Sequence, residues 1–286
     1  MVEINGKRFE LLHVCLVALL IATFAVAYFP AWKSLVLAWS SSDEYSHGFL
    51  IVPLALYIAW RKKNKLSSMK AHPSNWGLGL IIFSLFCYIV GYFAEIHTLS
   101  SLSIVGAIAG ITIFFFGYAI LKELRFPILL LLFMIPVPAQ IYSSLTIPLQ
   151  LFVSKVSVAV TGLLNVPIYR EGNVIHLPDR TLQVVQACSG LRSMISLLTL
   201  SAVFGYFALR SNALKMILII SGVPIAVLIN IFRVVLMVLA FHYFGIDLAS
   251  GIAHTSFGIF IFLLAILLIF LVKGVLSVWD AKAANA

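Results

Sequence analysis

Charge is what this sequence has least of. Only 10% of its 286 residues are Asp, Glu, Lys or Arg, against about 25% in soluble domains. With 62% hydrophobic residues and a mean hydropathy of +1.10, a chain of this length could not hide its apolar surface from water. That excludes a water-soluble globular domain and makes lipid the expected solvent. Acidic residues are scarcest, 10 against 19 basic ones, for a net charge of +9. In a soluble chain that balance would suggest nucleic acid; here Lys and Arg are expected on cytoplasmic loops, where they orient helices. Cysteine is nearly absent. Cys15, Cys87 and Cys188 form no spaced pair and no Cys/His cluster, so no metal site is implied. Cys15 and Cys87 fall inside apolar runs and read as core residues. Internal repeats, low-complexity stretches and polar linkers are also missing, so residues 1–286 read as one integral membrane domain.

What is present is a series of apolar runs near the length of about 20 residues that a bilayer-crossing helix needs. They are Leu11–Phe29, Gly77–Ala94, Leu99–Ile120, Phe126–Ile141, Ser189–Phe207, Met216–Val235 and Thr255–Val272. A shorter run, Phe49–Trp60, is expected to begin near Tyr45 and to bend at Pro53. The expectation is an all-α polytopic bundle of about eight transmembrane helices. Lys7 and Arg8 ahead of the first run, with Ala25-Val26-Ala27 at its end, resemble a signal peptide, but with so many spans following it the run is expected to be retained. With the N-terminus in the cytoplasm, thirteen of the 19 Lys and Arg fall inside, including Arg61 to Lys65, and six fall outside.

The longest outer segment, 142–187, is expected to hold an extracytoplasmic insertion. Leu145–Leu164 mixes apolar residues with Gln150, Ser154, Lys155, Ser157 and Thr161 and reads as a helix lying on the membrane surface. Val174-Ile175-His176-Leu177 and Leu182-Gln183-Val184-Val185 alternate, with turn residues at Glu171-Gly172-Asn173 and Pro178-Asp179, and predict a small β-hairpin on the outer face. The hairpin leads straight into Cys188.

Ionisable residues at the ends of membrane helices are costly and are functional candidates by default. Counted from the cytoplasmic cation of each helix, Cys188 is about 33 Å from Arg210, Arg233 about 27 Å from Lys215 and His254 about 28 Å from Lys273, at 1.5 Å per residue. A thiol, a guanidinium and an imidazole thus share one level, the outer edge of the hydrocarbon core. Cys188, where a helix should begin, suits a thiolate nucleophile. His254 suits proton transfer to and from it. Arg233, permanently charged, suits stabilisation of a thiolate or oxyanion. Asn230, one turn from Arg233, would orient it or a substrate carbonyl. Each has a plainer reading: packing for Cys188, snorkelling for Arg233, capping for His254. The matched depth favours function for the three together. Ser189 and Arg192 beside the cysteine, Arg170 before it, and His47 in Asp43-Glu44-Tyr45-Ser46-His47-Gly48 are supporting candidates. For His47, loop capping is the plainer role. His176 reads as a solvated strand residue, and His13, His72, His97 and His242 have no evident partner.

These residues carry a family resemblance. Ala187-Cys188-Ser189-Gly190-Leu191-Arg192-Ser193, Asn230-Ile231-Phe232-Arg233 and Ala253-His254 resemble the exosortase/archaeosortase family, as do Asp43 to Gly48 and Arg170-Glu171-Gly172-Asn173. The resemblance implies a membrane cysteine transpeptidase for secreted proteins that carry a C-terminal signal of the PEP-CTERM type: a short motif such as Pro-Glu-Pro, a hydrophobic helix and a basic cluster. It matches the family's proposed catalytic cysteine, arginine and histidine to Cys188, Arg233 and His254, a set that parallels the residues of Gram-positive sortases on an unrelated fold.

The sequence therefore reads as an inner-membrane, multi-pass cysteine protease and transpeptidase. Its active site would face the periplasm, its partners would be membrane-anchored secreted proteins, and no metal or organic cofactor is implied. The substrate's acidic motif would meet Arg170, Arg180, Arg192 and Arg233. One rival is a transporter or channel with an outer polar site, which predicts repeats and broken mid-membrane helices. A non-catalytic scaffold of envelope or exopolysaccharide export would have no need of the cysteine. A plain hydrolase differs only in its final nucleophile.

Overall fold

The structure is a computed structural model. It describes residue 15 and residues 18–42, 44–178, 180–183 and 190–285, without the side chains of 180, 190–193 and 282–285. The chain divides into two compact units, Met1–Pro136 and Val137–Ala286.

The first unit is all helical. Helix α1 (Ala18–Ala27) meets α2 (Phe29–Ser41) at a bend of 66°, where Tyr28 leaves helical geometry and Pro30 opens the next helix. The α3 helix (Gly48–Arg61) and the short α4 (Lys63–Ser68) follow, then α5 (Trp76–Phe93), α6 (His97–Phe116) and α7 (Tyr118–Leu130), which ends in a 3-10 turn, Leu131–Met134. Helices α5 and α6 pack antiparallel because small residues line their seam. A Cβ on Gly77 or Gly110 would collide with the facing helix, and Gly91 and Gly106 lie against Ser100 and Ser84. Such contacts let membrane helices approach closely. The outer face of α5 is aromatic and exposed, with Trp76, Phe83, Phe86 and Phe93. Helix α6 stops at Gly117, whose φ of +84° and closeness to the His72 carbonyl leave no room for a side chain. Helix α7 and its 3-10 turn run along α3. Glu123 pairs with Lys62 and Lys65 at one end, and at the other the Phe133 carbonyl lies 3.1 Å from His47 Nε2.

The second unit begins with α8 (Ala139–Gly162). A three-stranded antiparallel sheet follows, β1 (Tyr169–Glu171), β2 (Val174–Leu177) and β3 (Arg180–Gln183), in spatial order β1-β2-β3. Its register pairs Arg170 with Ile175 and Ile175 with Leu182. Three long helices complete the unit: α9 (Gly190–Ala208), α10 (Asn212–Phe244) and α11 (Gly251–Asn285). Their core is aliphatic, with Leu197, Leu218, Ile229, Ile261 and Ile269. Asp280 of α11 accepts the backbone N–H groups of Arg210 and Ser211, which closes the α9–α10 turn. Gly245, left-handed at φ 64°, ends α10.

Several expectations need correction. Among the described residues, five helices are long and apolar enough to cross a membrane, or six if α1 and α2 form one span, so the count of eight is not reproduced. Helix α3 has 14 residues, about 21 Å, short of the roughly 30 Å hydrocarbon core. The run Phe126–Ile141 is not one helix: α7 ends at Leu130, and the chain is extended from Ile135 through Pro138 before α8 starts. The expected surface helix starts six residues earlier, at Ala139, and is itself long and apolar enough to span. Its polarity is reversed. Gln150, Ser154, Ser157 and Thr161 are buried, whereas Leu145, Ile147 and Phe152 are exposed. The polar side thus faces protein, not water. The expected hairpin is a three-stranded sheet, because Tyr169–Glu171 adds a strand; Val184 and Val185 lie outside the described residues. Cys15 is exposed and Cys87 half-buried, so neither is a core residue. In an apolar chain the outer surface is apolar too, and hydropathy does not separate it from the core.

Candidate active site

Two of the expected catalytic residues meet. Arg233 lies on α10 and is 7% exposed, and Asn230, one turn earlier on the same helix, is 3% exposed. A guanidinium this deep in an apolar helix needs a polar neighbour. It finds one in His254, in the first turn of α11. Arg233 Nη2 is 3.3 Å from His254 Nε2 and 3.4 Å from Nδ1. Guanidinium nitrogens only donate, so a ring nitrogen must accept. His254 Nδ1 is 3.3 Å from the Leu248 carbonyl, which only accepts. Arg233 Nη2 thus lies almost equally close to both ring nitrogens, and the Leu248 carbonyl faces Nδ1.

The turn before α11 holds the imidazole in place. The Asp247 carboxylate accepts the Ala249 N–H at 2.8 Å and the Ser250 hydroxyl at 2.6 Å. That fold of the chain fixes the Leu248 carbonyl, and through it the ring. Gly258, one turn beyond His254, supplies room: a Cβ there would lie 3.6 Å from Arg233 Nη2. Ile231, between Asn230 and Arg233, offers its carbonyl to the Ser157 hydroxyl of α8 at 3.5 Å. The sheet is seated next to the pair. Ile175, Leu177 and Leu182 pack with Val153, Val234, Met237 and Val238, and Leu248 and Phe257 border that cluster. Ser154 of α8 bonds the Gly172 carbonyl at 3.1 Å and anchors the β1–β2 turn. The cavity beneath the sheet is ≈ 10 Å³, about the space of one water.

The other expected residues are placed as follows. Cys188 and Ser189 lie outside the described residues. Arg192 falls in the first turn of α9, which starts two residues after the cysteine, and its side chain lies outside the described set. Arg170 is exposed on β1 and donates to the Gly172 carbonyl at 2.7 Å, so it braces a turn. His47 belongs to the first unit, just ahead of α3, where the distant Phe133 carbonyl accepts its Nε2 proton and its side chain makes no capping bond to the helix. His176 is not simply solvated: its ring stacks on Tyr169 at 4.4 Å, and Glu171 lies 3.5 Å from its Nε2. Asp247, Leu248 and Gly258 escaped the sequence reading, which gives Ser157 only as a polar residue of a surface helix. Only Asp247 left a signal, an Asp three residues before Ser250 ahead of an apolar run.

The site therefore joins a fixed cation and an imidazole beside a sheet whose last strand precedes Cys188 by five residues in the sequence. No curated protein and no solved structure matches the chain. A family model described as transmembrane exosortase (Exosortase_EpsH) matches residues 39–271, from α2 to the middle of α11. That match takes in His47, the sheet, Cys188, Arg233 and His254, the greater part of the 286 residues. The chain belongs to the transmembrane exosortase family.

Proposed function

We propose that this exosortase is a cysteine transpeptidase that cleaves a C-terminal sorting signal of the PEP-CTERM type and transfers the upstream polypeptide to an acceptor. The observation that carries the proposal is the pairing of buried Arg233 on α10 with half-buried His254 on α11 at 3.3 Å. An arginine held against an imidazole serves neither packing nor simple snorkelling. It suits a site where a proton moves and negative charge develops.

In this mechanism Cys188 Sγ loses its proton to the His254 imidazole and attacks the scissile carbonyl. Arg233 stabilises the resulting oxyanion, and Asn230 orients the guanidinium or the carbonyl. The intermediate collapses as His254 returns the proton to the leaving amine, leaving a Cys188 thioester. The acceptor then attacks; His254 takes its proton and gives it to the departing thiolate. The substrate's hydrophobic helix lies in the bilayer with its basic end in the cytoplasm, while its acidic motif meets Arg170, Arg180 and Arg192. We take the sheet and the site to face the periplasm of an inner membrane, a reading that rests on the charge bias of the sequence.

The test is to trap the acyl-enzyme. A hydroxylamine-sensitive thioester between substrate and Cys188 is expected in wild type and absent in Cys188→Ala, with Cys188→Ser nearly inactive. Full processing by Cys188→Ala would eliminate the mechanism and favour a transporter or scaffold. The mass of the product's new C-terminus separates transfer from hydrolysis.

A further inference from the structure

The first unit contains a feature that the transpeptidase chemistry does not use. A cavity of ≈ 570 Å³ opens between α2 and the turn joining α5 to α6. Ser34, Tyr88, Tyr92, Phe93, Glu95 and His97 line it. Its aromatic wall continues from α5 to the α1–α2 bend as a cluster of rings. Tyr28 and Tyr88 are 4.6 Å apart between centroids, Tyr88 and Tyr92 6.2 Å, and Tyr92 and Phe93 5.7 Å.

Glu95 stands out among the described acidic residues. Glu123 pairs with two lysines, Glu171 faces His176, Asp247 and Asp280 accept backbone N–H groups, and Glu44 is also engaged. The Glu95 side chain has no hydrogen bond or ion pair within the described residues, nor has the His97 ring. Glu95 also adopts φ 57°, the left-handed conformation that Gly or Asn fills with least strain. Glycine would serve this turn better, so what glutamate contributes is its carboxylate, placed at a cavity walled by aromatic rings.

A carboxylate beside the faces of tyrosine and phenylalanine is a recognition set for an ammonium group. Helix α5 also carries an exposed apolar outer face, so the occupant carries an apolar tail. We propose that this cavity binds the headgroup of an ammonium-bearing phospholipid. Glu95 pairs with the ammonium, Tyr92 and Phe93 face it, the His97 and Tyr88 donors serve the phosphate, and an acyl chain lies along the exposed apolar surface of α5.

The full chain, purified in detergent, would be followed by thermal unfolding with added phosphatidylethanolamine, phosphatidylglycerol or water-soluble phosphoethanolamine. Phosphatidylethanolamine is expected to raise the unfolding midpoint by about 4–8 °C, and the other two by much less. Glu95→Gln should remove that selective shift. Glu95→Gly should remove it too while leaving the lipid-free midpoint no lower than wild type, because the turn is relieved of strain. Native mass spectrometry of the wild type should show co-purified phosphatidylethanolamine, a readout that needs no variant. An equal shift from phosphatidylglycerol or from phosphoethanolamine, or a full shift in Glu95→Gln, would overturn the proposal.

Discussion

At the scale of single residues, chemistry and support were unequally visible. Arg233 and His254 could be picked out because an ionisable side chain in an apolar run is conspicuous and helical rise gives its depth. Their direct contact could not, since nothing in the sequence fixes how α10 and α11 rotate against each other. Nor could Gly258 be found: a glycine in an apolar helix looks like any small packing residue until a guanidinium is seen beside it. His254→Ala is expected to slow acylation by roughly 100-fold, measured as thioester formation with a model substrate. Arg233→Lys should leave little processing, because an ammonium lacks the planar fork; near-normal processing would remove the oxyanion role. Gly258→Ala should be tolerated, since its methyl would sit at ordinary contact distance, whereas Gly258→Leu should crowd the guanidinium and cut processing about tenfold without loss of membrane insertion. His47 gives a pH prediction. Burial holds its imidazole below the ordinary range, against the opposing pull of the Phe133 and Glu44 carbonyls. The folded state keeps the ring neutral while the unfolded chain protonates near pH 6.5, so stability is lost as pH falls from about 7 through the lower folded value. Unfolding temperatures recorded across that range should fall further in wild type than in His47→Gln; equal losses would show that His47 is not the sensor.

At the scale of elements, hydropathy found the long helices and misread those that contact protein on their polar side. The sequence of Leu145–Leu164 reads as a surface helix because Gln150, Ser154, Ser157 and Thr161 alternate with apolar residues at helical spacing. The same pattern describes a helix turned inside out, with its hydroxyls on partner carbonyls and its leucines outward. The alternation of 174–177 was legible as a strand, and the third strand was missed because Tyr169–Glu171 is exposed at all three positions and carries no buried face. Two changes test the seat of the sheet. Ile175 is fully buried in the cluster with Val234, so Ile175→Ala should cost about 2–4 kcal/mol and lower processing by loosening the approach to Cys188. Ser154→Ala should remove one bond to the β1–β2 turn and give a milder loss, measured by proteolysis at that turn. A variant as resistant as wild type would show the bond to be dispensable.

At the scale of the whole molecule, the membrane class was plain from composition, and the family from motifs spread between Asp43 and His254. The number of crossings was not, because prolines and Gly117 break apolar runs that a sliding window joins. Orientation rests on charge, and it makes a direct prediction: a cysteine placed at Asn173, in the turn after β1, should react with impermeant thiol reagents from the periplasmic side only. Labelling from the cytoplasm alone would reverse the scheme. The tryptophans described by their exposure offer an optical view of the same molecule. Trp60, Trp76 and Trp279 are more than half exposed on apolar helices, whereas Trp39 is buried, its indole N–H held by the Met134 carbonyl at 2.9 Å and its ring packed against Gly48. Brominated lipids should therefore quench the first three and spare Trp39, whose blue-shifted emission would persist until the first unit opens. With Trp32 half-buried between these extremes, the protein carries its own fluorescent gauge: three lamps exposed, one shaded and one sealed inside.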